Sequence, residues 1–297
     1  MKAKILILAA AMCLSLFPVE AQSWVEREQN VKDMFDQIDQ TDDILKKNEI
    51  ANKIQVEMIE ILMEVDSFEY DFPLLDNVGS VISSDKMIHM YSWNVVLEED
   101  KMQFFTILQN KEFNTIHILA QGNPFLPSPT AAVAENKWYG ALYYDIHPIE
   151  YRDKKMYMVF GLIPSTNGET QYKVIDVMAI SKRQIKLGAS MFQVIGSRKK
   201  LYRVMFEYDK LAQMTIDYDK RKKRVVYNHL VPIRTADNGK EIYAPDETWD
   251  ALVYKNDLWT EQEDVRVKIK REKKNKKSKK GTEEQEEKDS IEELVEE

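Results

Sequence analysis

The most chemically capable cluster in the chain lies on one short stretch, Trp138-Tyr139-Gly140-Ala141-Leu142-Tyr143-Tyr144-Asp145-Ile146-His147. Strand alternation sets Tyr139, Tyr143, Asp145 and His147 on one face and Trp138, Leu142, Tyr144 and Ile146 on the other. A carboxylate beside an imidazole raises its basicity, and two phenols add hydrogen-bonding groups and flat apolar rings. The first set therefore suits a sugar or another polar ligand, or acid and base work. The second set reads as core. The plainer alternative for the first face is a solvent-facing surface whose tyrosines cover cross-strand neighbours.

Elsewhere the chemistry is sparse. His89, His117, His147 and His229 each stand alone, and a metal would need distant strands to gather several of them. Asp217 and Asp219 flank Tyr218, while Asp246, Glu247 and Asp250 surround Trp249. Glycoside hydrolysis uses two carboxylates roughly 5 to 10 Å apart beside an aromatic platform, so these groups are a hydrolase alternative. Residues 243–250 also read as a turn into a final hairpin, with Trp249 and Trp259 closing the core. The chain has no Gly-rich phosphate loop, His-Glu-x-x-His helix, Gly-x-Ser-x-Gly elbow or calcium loop. No catalytic residue, metal ligand or cofactor is assigned.

The elements that must position these residues fall into two classes. Ile50, Ile54, Met58, Ile61, Leu62 and Val65 recur at steps of three and four, as on one face of a helix. Val31, Met34, Phe35 and Ile38 predict an earlier helix, and Thr41, Asp42 or Asp43 can cap the second. After residue 66 the runs at 87–97, 102–109, 113–120, 138–146, 156–163, 172–180, 201–208, 214–218 and 224–231 are β-branched and aromatic. Asn167-Gly168, Asp237-Asn238-Gly239 and Lys255-Asn256-Asp257 predict tight turns between antiparallel neighbours. The expected fold class is α+β, a predominantly antiparallel β meander (curved sheet, sandwich or partial barrel) preceded by two N-terminal helices. One connection, 121–136, is long, contains Pro124, Pro127 and Pro129, and displays Phe125 and Leu126, either to a partner or as a plug over the sheet.

The ends of the chain carry a different message. Lys2 and Lys4 precede an apolar run at 5–17 and small residues near Ala21, the pattern of a cleaved signal peptide over residues 1–21. The run is too short to span a bilayer, which takes about 20 apolar residues. Cys13, the sole cysteine, lies within the run rather than closing it, so cleavage is expected to remove it without lipid attachment. Residues 22–66 then form the helical segment, 67–265 the antiparallel β domain and 266–297 a charged tail expected to be disordered. Residues 266–280 hold ten cations against Glu272, and 283–297 hold nine carboxylates against Lys288. Subtracting the tail's +1 and the +1 of residues 1–21, where Glu20 offsets one of the two lysines, from the chain's −8 leaves −10 on residues 22–265. An acidic body argues against nucleic acid, while the basic run can make peripheral contact with anionic surfaces. Ser290 opens a capping box, and Ile291, Leu294 and Val295 share one helical face as a hook for a partner.

With that signal pattern, the strings Tyr91-Ser92-Trp93-Asn94, Trp138-Tyr139-Gly140-Ala141-Leu142-Tyr143-Tyr144 and Val226-Tyr227-Asn228-His229-Leu230-Val231-Pro232 give a chain that resembles uncharacterised exported β-rich envelope proteins of Gram-negative bacteria. The resemblance spans most of residues 65–265 and implies a location, with no chemical role for any string. The expectation is an exported, periplasmic or envelope-associated protein without catalytic activity that binds an envelope protein or a surface glycan. A carbohydrate-active hydrolase and a lipid-handling periplasmic protein are the alternatives.

Overall fold

A computed structural model describes residues 23–99, 101–122, 126–165 and 168–267. The expected signal segment with Cys13, Phe125, Asn167, the expected hook residues Ile291, Leu294 and Val295, and the residues from 268 onward lie outside the described residues. In chain order the helices are α1 (Trp24–Asp39) and α2 (Ile44–Leu62). The strands are β1 (Gly79–Ile82), β2 (Ile88–Glu98), β3 (Lys101–Asn110), β4 (Thr115–Leu119), β5 (Val133–Ala134), β6 (Leu142–Tyr151), β7 (Lys154–Ile163), β8 (Thr170–Ile180), β9 (Ile185–Leu187), β10 (Phe192–Gln193), β11 (Val204–Asp209), β12 (Ile216–Asp219), β13 (Arg224–Thr235), β14 (Glu241–Lys255) and β15 (Leu258–Gln262). They build three open sheets, ordered β1-β2-β3-β4, β5-β9-β8-β7-β6 with β11 also on β8, and β10-β15-β14-β13-β12. All strand pairs are antiparallel except β10 with β15.

The core sits in three seams between four layers. The helices lay Val31, Phe35, Ile50, Ile54 and Met58 on Tyr91, Trp93, Val95 and Phe105 of the first sheet. The other face of that sheet, with Ile88, Met90 and Leu108, meets Tyr143, Val159, Val174 and Met178 of the middle sheet. The middle sheet's opposite face presents Met158, Phe160, Ile175 and Val177 to Val225, Tyr227, Leu252 and Trp259 of the third. Because the middle sheet is covered on both sides, β7 and β8 carry near-continuous apolar runs instead of polar alternation. Among the described residues, no helix is long and apolar enough to cross a membrane.

Local sequence explains the helix boundaries. Ser23 and Glu26 form a reciprocal capping box at the start of α1, and Asp43 caps α2 through the N–H groups of Leu45 and Lys46. The expected stripe on α2 is buried up to Leu62, but Val65 is 84% exposed because the helix ends before it. Glu28, fully buried on α1, accepts from Tyr70 Oη at 2.6 Å and the Leu74 N–H at 2.5 Å. That carboxylate fixes the connection between the helices and β1.

Two expected turns are in place. Asp237, Asn238 and Gly239 join β13 to β14, and Asn256 and Asp257, both with positive φ, join β14 to β15. Residues 243–250 are not a turn. They belong to β14, where the register shifts between Asn228 and Leu230 and leaves Asp246, Glu247 and Thr248 unpaired as a bulge. Asp246 Oδ1 braces the bulge by accepting from the N–H and hydroxyl of Thr248, each at 2.7 Å.

Candidate functional site

The four residues expected on one strand face occupy two different places, and Tyr139 lies ahead of β6. A register shift between Tyr143 and Asp145 inserts one extra residue opposite β7 and reverses the faces beyond it. Tyr143 and Ile146 therefore both enter the seam with the first sheet, whereas Tyr144 and His147 lean on Phe160 on the opposite side. Ser92 holds the shifted backbone, its Oγ accepting from the Tyr143 N–H at 3.0 Å and donating to the Tyr143 carbonyl at 3.3 Å.

Tyr139 and Tyr143 serve a buried polar network. Tyr139 Oη donates to Asp176 Oδ2 at 2.9 Å, and Tyr143 Oη accepts from Trp138 Nε1 at 2.9 Å. Arg203, with no exposed surface, donates from Nε to the same Asp176 oxygen at 2.8 Å. Its Nη1 donates to the carbonyls of Ser128 and Ala131, and its Nη2 to that of Leu187. Burial pushes the Asp176 carboxyl above its ordinary value against the pull of Arg203, and raises the Tyr139 phenol well above its own. This network fastens the long loop to the middle sheet, helped by the Tyr202 N–H on the Pro129 carbonyl at 2.7 Å. Leu126 is 47% exposed and does not plug the sheet.

Asp145 and His147 do stay together, with Nε2 2.7 Å from Oδ2 and the pair half-buried. The imidazole packs against the Tyr218 ring at 4.5 Å between centroids. Tyr218 in turn lines two neighbouring clefts. One cleft of about 860 Å³ lies on the outer face of the third sheet, lined by Asp217, Tyr218, Asp219, Arg224, Val226 and Trp249 with Lys220, Arg221 and Lys222 at the turn. A second, of about 490 Å³, lies on the other side of the same hairpin and shares Tyr218 and Lys220, adding Arg152, Lys223, Tyr254 and Trp259.

The hairpin itself explains this arrangement. β12 and β13 pair Asp217 with Val226 and Asp219 with Arg224 on the outer face, and Tyr218 with Val225 on the inner. Five consecutive cations, Lys220-Arg221-Lys222-Lys223-Arg224, make up the turn and the first residue of β13, and between them line both clefts. Burial alone would push Asp219 up, but the Lys222 N–H and Arg224 outweigh it and hold its carboxyl below the usual range. Trp249 is half-exposed on this outer face rather than in the core, whereas Trp259 is buried as expected. The chain leaves over the same surface, where the Val265 N–H donates to the Trp249 carbonyl and Arg224 Nη2 to that of Arg266.

The acidic groups named from the sequence are thereby divided. Asp217, Asp219 and Trp249 line one cleft, while Asp250 pairs with Tyr227 on the inner face and bonds His229 Nδ1 at 2.7 Å. The hydrogen bond to Asp250 raises the His229 pKa above its ordinary value despite burial, with Asp246 and Glu263 adding to it. A histidine with a raised folded pKa contributes stability that is complete below its unfolded pKa of about 6.5 and disappears as pH rises through the folded value. NMR titration should place His229 above the unfolded value, and Asp250→Asn should bring it down. A His229 midpoint unchanged by that substitution would show that Asp250 is not the cause. Among the described residues, no group of three or more His, Cys, Asp and Glu is placed to hold a metal.

The basic turn was not singled out from the sequence, although five adjacent cations in an acidic body are a legible signal. What the sequence could not show is that they stand beside Trp249, which lies 25 residues beyond Arg224. No family model, curated protein or solved structure matches this chain.

Proposed function

We propose that the protein is exported and binds an anionic glycan of the cell envelope in the cleft beneath the β12–β13 turn. The observation that carries this reading is the half-exposed Trp249 beside four cations, Lys220, Arg221, Lys222 and Arg224, against two carboxylates, Asp217 and Asp219, in one open cleft. An indole face stacks on the apolar face of a sugar ring, and cations gathered on an acidic body draw a polyanion to that one place. Export is supported by the signal pattern at residues 1–21. Binding is favoured over hydrolysis because Asp219 is held ionised by Arg224 and the Lys222 N–H, which disfavours it as a proton donor.

Calorimetric titration with an acidic polysaccharide such as polygalacturonate, beside a neutral glucan of equal length, tests the proposal. Trp249→Ala is expected to weaken binding about 10-fold or more, on the order of 1 to 3 kcal/mol for a ring stacked on a flat face. Replacing Lys220, Arg221 and Lys222 with Gln should lower affinity and flatten its salt dependence. Equal affinity for neutral and acidic chains, or binding indifferent to all four substitutions, would overturn the reading.

A further inference from the structure

A second place in the molecule has the geometry of an activated nucleophile. Ser80 lies exposed on the edge strand β1, and its Oγ is 2.7 Å from Nε2 of His89 on β2. The register pairs Ser80 with Tyr91 and Ile82 with His89, so the serine and the imidazole share one face of the sheet. His89 itself is fully buried. Its other nitrogen, Nδ1, lies 2.9 Å from the Phe68 carbonyl and 2.8 Å from Tyr91 Oη.

These contacts fix the tautomer. A carbonyl can only accept, so Nδ1 carries the proton and Nε2 presents a lone pair to the serine hydroxyl. Tyr91 Oη donates onward to Gln109 Oε1 at 3.4 Å, and Gln109 Nε2 is anchored on the Leu62 carbonyl and Ser67 Oγ. The ring is further held by Phe68, edge-on at 5.4 Å, and by Tyr91 at 4.1 Å. Desolvation lowers the His89 pKa, opposed by the hydrogen bond to the Phe68 carbonyl and by Asp71 and Glu69, which favours the neutral imidazole. The Ser83 N–H bonds the Ile88 carbonyl at 2.9 Å, and ladder alternation from that pair turns the Ser80 N–H away from β2 toward the sheet edge.

We infer that Ser80 is a nucleophile activated by His89, oriented through the Phe68 carbonyl, and that it takes an unhindered carboxylic ester. The nucleophile lies within hydrogen-bond reach of the base, and the base within reach of its orienting carbonyl, as acyl transfer requires. Ser80 Oγ attacks the ester carbonyl carbon while its proton passes to His89 Nε2. The bond from that carbon to the alkoxy oxygen breaks, and His89 returns the proton to the departing alkoxide, giving an alcohol and an acyl-serine. Water then attacks the acyl carbon, losing a proton to His89, and Oγ leaves and regains it, so a carboxylic acid and free Ser80 result. The Ser80 N–H at the open edge is available to the developing oxyanion. The site is independent of the glycan cleft, which is built on the third sheet.

The test is covalent labelling of the full chain with a fluorophosphonate probe, read by intact mass and peptide mapping. The expected result is one adduct on Ser80, formed about 100-fold or more faster than on the exposed Ser84, the range general-base assistance supplies. Ser80→Ala, on an exposed position, should keep the fold and lose the adduct. The labelling rate of the unmodified protein should fall as pH drops through the His89 titration, which a merely structural serine would not show. His89→Gln should lose the adduct; should that variant fail to fold, the pH profile of alkylation of Ser80→Cys by iodoacetamide decides the same point. Ser80 labelled no faster than Ser84, or at a rate independent of pH, would overturn the proposal.

Discussion

Replacing Asp176 with alanine should lower the stability of the protein by about 3 to 5 kcal/mol, the cost of leaving a buried charge without its partner. Neither Asp176 nor Arg203 has exposed side-chain surface, and the two are joined at 2.8 Å. Without Asp176, the guanidinium retains the carbonyls of Ser128, Ala131 and Leu187 and the face of the Tyr139 ring, and Tyr139 loses its acceptor. Three carbonyl dipoles do not neutralise a full charge in a dry interior. Urea unfolding of Asp176→Ala, Arg203→Met and the double variant separates the contributions. The double variant should recover part of the loss, because removing both charges also removes their desolvation cost. A loss below about 1 kcal/mol for Asp176→Ala would mean that water reaches the pair.

Phe160→Ala is expected to cost a similar amount, about 3 to 5 kcal/mol, by a different route. Phe160 is fully buried on β7 in the seam between the middle and third sheets. A cavity there has little means of closing, since hydrogen-bonded sheets flank it on both sides. Tyr144 and His147 rest on the Phe160 ring, and His147 supports Tyr218, so the loss should also loosen the hairpin that forms the two clefts. Phe160→Leu, which keeps most of the volume, should lose less than about 1.5 kcal/mol. Chemical denaturation of both variants provides the measure, and equal losses would argue against a cavity cost.

These two residues mark where reading the chain succeeded and where it stopped. The strand at 154–163 is legible because Met156, Tyr157, Met158, Val159 and Phe160 have the side chains that suit a pleated surface. That both of its faces are covered follows from the stacking of three sheets, which no local pattern states. Helix α2 was legible through its stripe and its Asp43 cap, both local properties. Strict alternation failed between Tyr143 and Asp145, since a bulge depends on the partner strand, and this one also on Ser92 in another sheet. The site divides in the same way. Asp217, Asp219 and Trp249 were recognisable as sugar-compatible residue types, but their convergence depends on β13 and β14 lying side by side. Arg203 reads from sequence as an ordinary strand-end cation, and its partners lie 16 to 75 residues away.

Among the described residues, β12 ends the third sheet with β13 as its one neighbour. A bare edge offers unpaired backbone groups to any extended chain, including a second copy of the same strand. Here the edge is four residues long, carries Asp217 and Asp219, and runs straight into five cations. Two such edges brought together would set carboxylates near carboxylates and would gain few ladder bonds in return. On the proposed reading, the charges that would draw a polyanion to the cleft also oppose extension of this sheet into a fibre, so copies gathered along a polymer would not zip to one another.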